Sequence, residues 1–243
     1  MKKKEARQLG KQIAILVREG DIIAAHELLA PVLAERTKFM LLDIIGEGVG
    51  IEPIDVAKPF LDRIANGKTE GGWVVIASTL RGQLGVDLSA IFDLSRIYII
   101  RSDIWYGADI QGERVPGPAL MGNFEAALEG LKPWLGDTNH WVRRTVGVAV
   151  HFWAKRSRGE GSARAERLLT FLEPVFEEKE IEAVKGIGWG LKTLGRYYPE
   201  LLADWLAVQV VQKERSYHSV TLRKALTYLS EDQRKQATGG RIR

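Results

Sequence analysis

The sequence predicts an all-α chain, a curved α-solenoid of helical hairpins with a concave basic face. Two observations carry the helical part. Apolar residues recur at three- and four-residue steps along nearly the whole chain, and short clusters of Gly, Pro, Asp or Asn punctuate them. The third is a set of tryptophans that returns at a near-regular interval.

Taken in order, the first segment places Leu9, Ile13, Leu16 and Val17 on one helical face, and the second does the same with Ile22, Ala25, Leu28, Leu29, Val32 and Leu33. Similar patterns follow at about 38–46, 54–65, 73–84, 88–100, 103–111, 118–131, 139–156, 163–177, 180–197, 199–212 and 219–229. Trp73–Ala77 and Arg96–Ile100 are rich in β-branched and aromatic residues, as strands are. Each runs into a helix-compatible pattern without hairpin turns, so both are read as buried helix segments.

Trp73, Trp105, Trp141 and Trp189 are spaced by 32, 36 and 48 residues. The first two intervals fit one helical hairpin each, the size of a HEAT-like unit, and the longer third is assigned to an insertion at Ser157–Ala165. Stacked hairpins of this kind leave one helix of every pair along a concave surface, which suits a long ligand. The expected organisation is a single HEAT-like repeat domain over 1–243, with N-terminal helices to about 70, core repeats over about 71–230 and a flexible basic tail at 231–243.

Glycine is abundant for a helical chain, 25 residues in 243. Gly46, Gly48, Gly71 and Gly72 are read as turn residues. Gly107, Gly147, Gly186, Gly188 and Gly190 fall in or at the start of helices, where a missing side chain permits close approach, most simply by a neighbouring helix.

The chain has no cysteine, which excludes disulfides, a thiolate nucleophile and cysteine-ligated metal. No apolar run approaches the ~18 residues of a membrane span. Met1–Glu5 and the short Ile13–Val17 run do not suit a signal peptide, so a cytoplasmic protein is expected, nucleoid-associated if bacterial. The net charge is only +4, but residues 1–140 carry 16 Lys and Arg against 19 Asp and Glu, and residues 141–243 carry 19 against 12. The basic excess of the second part suits a polyanion.

The sequence contains no GxxxxGK[ST], HExxH or GxSxG motif, and its four histidines form no metal cluster. GEGVG at 46–50 lacks the dinucleotide-binding spacing and is read as a helix–helix connection. The informative group is Trp105, Asp109, the segment His140–Arg144 and Trp189. Trp105 and Asp109, four apart, share a helical face one turn from each other. Arg143 and Arg144 stand near a helix start, where the dipole favours negative charge, so an anionic partner would explain them. Trp73, Trp134, Trp153 and Trp205 are assigned to packing, Trp141 stays ambiguous, and His151 in the apolar run Val146–Trp153 is assigned to the core.

These residues resemble the AlkD-like DNA alkylation repair glycosylases, which are built from HEAT-like repeats. The resemblance covers most of the chain and is strongest from about Tyr98 to Pro199, including HWVRRTVGVAVHFWAKR and KGIGWGLKTLGRYYP. It implies removal of cationic N3- and N7-alkylated purines from duplex DNA. It also carries the family's Trp-x-x-x-Asp pair, repeat arginine and IGW tryptophan onto Trp105, Asp109, Arg144 and Trp189. The family often has an acid directly after the first tryptophan; here that residue is Tyr106. The stretch Gly112–Pro118 is read as a glycine- and proline-rich loop closing that helix.

On this reading the leaving base is already cationic, and the difficult species is the sugar oxocarbenium ion. The catalytic residues are then Asp109, Trp105 and Trp189, with carboxylate charge and aromatic faces opposing the cation. The resemblance further implies that the lesion is met from an open cleft rather than in a deep pocket. Backbone contacts are assigned to Arg143, Arg144, Lys155, Arg156, Lys185, Lys192 and Arg196, with Arg223 and Lys224 near the last helix. A monomer acting on duplex DNA, with no metal or organic cofactor and no membrane partner, is expected. The alternative is a non-catalytic HEAT-repeat protein that binds unusual DNA structures or a protein partner.

Overall fold

A computed structural model describes residues 1–240. Among these residues there is no strand, and both β-rich runs are helical: Trp73–Ala77 lie within a helix over Glu70–Gly82 and Arg96–Ile100 within one over Leu88–Ser102. No described helix is long and apolar enough to cross a membrane. The chain divides into two compact units, Met1–Val115 and Pro116–Arg243.

In the first unit, α1 (Lys3–Arg18), α3 (Phe39–Val49), α5 (Glu70–Gly82) and α7 (Trp105–Arg114) pack consecutively as one row. The helices α2 (Ile22–Ala34), α4 (Ile54–Asn66) and α6 (Leu88–Ser102) form a second row. Side-chain acceptors set several starts, as Asp21, Thr69 and Asp87 accept from the backbone N–H of Ala24, Gly72 and Ala90. Trp73, Ile76, Phe60, Leu42 and Ile13 fill the core between the rows.

The second unit repeats the plan. One row is α8 (Pro116–Gly122), α10 (His140–Ser157), α12 (Ile181–Tyr197) and α14 (Ser219–Ala225). The other is α9 (Phe124–Leu135), α11 (Ser162–Leu172), α13 (Pro199–Leu206) and α15 (Glu231–Thr238). Short 3-10 turns at Glu173–Val175 and Leu226–Tyr228 and a π turn at Ala207–Gln212 complete the connections. Trp153, Phe176, Leu172 and Leu194 lie in this core.

Several sequence expectations are corrected. The single helix expected at 118–131 is two, because Asn123 caps a new start by accepting from Ala126 N–H and the chain crosses from one row to the other. Gly112–Pro118 is not a loop: it comprises the last turn of α7 and the first of α8, broken only at Val115. The insertion expected at Ser157–Ala165 shrinks to a turn over 158–161 between α10 and α11. The long Trp141–Trp189 interval arises instead from the 18-residue α10, the added 3-10 turn and the position of Trp189 well inside α12. Glu231–Thr238, expected as part of a flexible tail, form a helix in which Ser230 and Gln233 make a reciprocal capping box. The rest of that expected tail past Gly240 lies outside the described residues.

Glycine governs the first row of each unit. Gly46 and Gly48 are inside α3, and Gly71 and Gly72 inside α5, so neither pair makes a turn; the GEGVG segment is the end of a helix rather than a connection. A Cβ on Gly48 would lie 3.0 Å from the Gly10 backbone of α1, and one on Gly46 would lie 2.6 Å from the Val75 carbonyl oxygen of α5. The tightest meeting is between α10 and α12, where a Cβ on Gly147 would stand 2.3 Å from the carbonyl carbon and oxygen of Gly186. The two backbones touch there, so no side chain can yield. Gly147→Ala should therefore destabilise the protein by about 2 kcal/mol, the overpacking cost less the helical gain of alanine. Gly136→Ala, with open space around its Cβ and an ordinary φ, should be neutral. Urea unfolding midpoints of the two variants check the contrast.

Candidate functional site

The α6–α7 junction puts Trp105 in solvent. Asp103 ends α6 in the left-handed conformation, φ 48°, which turns the chain sharply so that α7 begins two residues later at Trp105. Trp105 is 53% exposed, whereas Trp73, Trp134, Trp141, Trp153 and Trp205 are all buried. Tyr106, at the position where an acid is expected, meets the indole edge-on with ring centroids 5.7 Å apart. Asp109 lies half-buried one helical turn further on.

Buried polar contacts fix α7 against its row. Arg114 Nε donates to Asp43 Oδ1 at 2.7 Å, and Ser78 Oγ donates to the same oxygen at 2.7 Å, joining α3, α5 and α7 through one carboxylate. Ser95 Oγ, on α6, donates to Gln111 Oε1 at 3.0 Å. The helix that carries Trp105 and Asp109 is thus anchored through its C-terminal part.

In the second unit the candidate residues lie on α10 and α12. Arg144 is buried and its Nη1 donates to the Glu182 backbone oxygen at 3.1 Å and to Glu182 Oε2 at 3.2 Å. Lys185 pairs with the other oxygen of that carboxylate at 2.5 Å. Arg143 reaches Glu178 Oε2 through Nε at 2.5 Å and Oε1 through Nη2 at 3.2 Å, and Nη1 donates to the carbonyls of Asp137 and Thr138. Burial pushes the Glu178 carboxyl up, but the Arg143 guanidinium and the amides of Glu180 and Lys179 outweigh it and hold the group below its usual range. Acidic partners for these two helix-start arginines therefore lie within the chain, on and just before α12.

The other four cations differ. Lys155, Arg156, Lys192 and Arg196 have no carboxylate partner among the described residues. Arg156 lies over Phe152, its Cζ 5.1 Å from the ring centroid, and Lys192 and Arg196 both lie over Tyr228, at 5.4 and 5.5 Å. Arg223 is exposed on α14, and Lys224 packs its aliphatic stem where a Cβ on Gly188 would stand. Sequence reasoning passed over Phe152 and Tyr228 because a lone aromatic reads as core.

Trp189 is half-buried and stacked on His151, with centroids 3.9 Å apart and planes 25° from parallel. Thr193 Oγ1 donates to the Trp189 carbonyl at 3.0 Å, so its contact of 2.7 Å with His151 Nδ1 is one in which Nδ1–H donates. That leaves Nε2 as a buried acceptor with no hydrogen-bond partner. His151 is in the core as expected, yet only one of its nitrogens is satisfied. Among the described residues no group of three His, Asp or Glu is placed to hold a metal ion.

Burial, with a smaller contribution from Lys155, lowers the His151 pKa to about 4. The unfolded chain therefore binds this proton more readily than the folded one. Stability present above about pH 6.5 should be lost as pH falls towards 4, by on the order of 3 kcal/mol. In His151→Phe that part of the pH dependence should vanish, as read from urea midpoints between pH 7 and 4.

Comparison with curated proteins finds no match to the chain. A family model described as DNA alkylation repair enzyme matches residues 75–229, which covers α7, α10, α12 and the Leu226–Tyr228 turn. With well over half of its length matched, the chain belongs to the DNA alkylation repair enzyme family.

Proposed function

We propose that the protein is a DNA N-glycosylase that excises cationic N3- and N7-alkylated purines from duplex DNA. Family membership supports a role in alkylation repair. The observation that carries the finer reading is the exposure of Trp105 at the head of an anchored helix, with Asp109 one turn behind it. An indole open to water costs hydrophobic free energy, and a ligand that covers it recovers that cost.

The chemistry follows from charge. An N3- or N7-alkylated purine leaves as a neutral base, so no strong acid is needed at the leaving group. Positive charge develops on the deoxyribose instead. The Asp109 carboxylate opposes that charge and orients the attacking water, and the indole faces of Trp105 and Trp189 present their negative quadrupole to the cationic sugar and lesion. Trp105 and Asp109 belong to one unit and Arg144 and Trp189 to the other; the resemblance is what joins their roles. Arg144 and Arg143 take a smaller part in DNA binding than the sequence suggested, since much of their hydrogen-bonding capacity is used on Glu182, Glu178 and backbone carbonyls. Backbone contact rests chiefly on Lys155, Arg156, Lys192 and Arg196, with Lys185 shared with Glu182.

Asp109→Asn keeps the shape of the side chain and removes its charge. Single-turnover excision of 7-methylguanine from a duplex, scored by alkali cleavage of abasic sites, should fall about 10²–10³-fold. An unchanged rate would remove Asp109 from catalysis. A parent protein that binds the duplex and leaves the base in place would make the chain a binder rather than a glycosylase.

A further inference from the structure

We infer that Tyr228, Lys192 and Arg196 form a braced clamp for the phosphodiester backbone of DNA, in which the tyrosine ring is the positioning element. This rests on the DNA-binding reading above and adds to it a residue and a mechanism. Lys192 and Arg196 are four apart on α12 and so occupy one face of the helix, with Cβ atoms about 5–6 Å apart. Tyr228 closes the 3-10 turn that follows α14, the next helix of the same row, and is 46% exposed.

Three observations separate this arrangement from ordinary surface charge. Both cations converge on one ring, Lys192 Nζ at 5.4 Å and Arg196 Cζ at 5.5 Å from its centroid, and Arg196 also lies 5.5 Å from the ring of its neighbour Tyr197. Neither has a carboxylate partner among the described residues, although Lys185 on the same helix does. The ring itself remains open to solvent rather than buried as core. The helix dipole accounts for Arg196 in the last turn of α12, but not for Lys192 a turn earlier, nor for an exposed aromatic beneath both.

The physical consequence is preorganisation. Two long, flexible cations would lose side-chain entropy on gripping a phosphate, and a shared ring restricts them beforehand without neutralising either charge. An acid in place of Tyr228 would hold them as well and would cancel the charge they are needed for. Held one helical turn apart, the two heads can take one phosphate between them or two in succession.

The test uses the full chain and a fluorescently labelled, undamaged duplex, titrated over a series of salt concentrations. The parent should show a steep fall of affinity with salt, each phosphate contact contributing a slope of about −0.9 on logarithmic axes. Tyr228→Leu should weaken binding about tenfold at low salt, the loss of two cation–π contacts, and make the slope shallower by about one. Tyr228→Phe keeps the ring and should bind within about twofold of the parent. When Lys192→Gln and Arg196→Gln are already present, Tyr228→Leu should add almost nothing, because its effect acts through those two side chains.

A Tyr228→Leu variant with the parent's affinity and slope would overturn the clamp. So would equal losses in the Phe and Leu variants, or a loss in the double-glutamine background as large as in the parent. These outcomes leave DNA binding by the parent intact. A parent with no affinity for the duplex, or with a flat salt dependence, would overturn the DNA-binding reading and the clamp together.

Discussion

Backbone contact between α10 and α12 is the constraint on which the second unit depends. Because Gly147 and Gly186 meet without side chains, the two helices approach closely enough for the Arg144 carbonyl oxygen to sit 2.5 Å from where a Gly186 Cβ would be. That approach brings Glu178 and Glu182 within reach of Arg143 and Arg144, and Trp189 onto the face of His151. Hydrophobic burial supplies most of the driving force in such a core. Glycine sets the spacing at which everything polar in the row must meet.

The seven cations of α10 and α12 differ in what they touch. Arg143, Arg144 and Lys185 are engaged with carboxylates of the chain itself: Arg143 and Arg144 tie α10 to the start of α12 and the residues just before it, and Lys185 pairs within α12. Arg156, Lys192 and Arg196 rest on aromatic rings, which order a cation but leave its charge unmatched. A count of basic residues treats these groups alike. Those without a carboxylate partner, Lys155 among them, keep a charge to offer an outside anion, and the basic excess of residues 141–243 is meaningful chiefly through such groups.

The helical periodicity was legible because it is local: Leu9, Ile13 and Val17 mark one face whatever lies opposite. Helix ends were less so. Gly46, Gly48, Gly71 and Gly72 looked like turns because glycine commonly ends a helix, whereas all four lie inside α3 and α5, and Gly46 and Gly48 meet the backbones of α5 and α1, far from them in sequence. The same limit applied to Arg143 and Arg144. Their position at a helix start asked for an anion, and nothing near them in sequence showed that Glu178 and Glu182, 35 and 38 residues on, would supply it. The candidate residues Trp105, Asp109, Arg144 and Trp189 stood out by spacing and charge, and a resemblance in short motifs gave them roles. The support that surrounds them, Asp43 under Arg114 and His151 under Trp189, is made of residues distant in sequence.

The exposure of Trp105 has an optical consequence. Of seven tryptophans, this is the one more than half open to water, and its emission belongs at the red edge of the protein's fluorescence, accessible to a dissolved quencher. The five buried indoles form a shielded background. Whatever covers Trp105 moves a single component of that spectrum, so the protein carries an intrinsic reporter of its own occupancy.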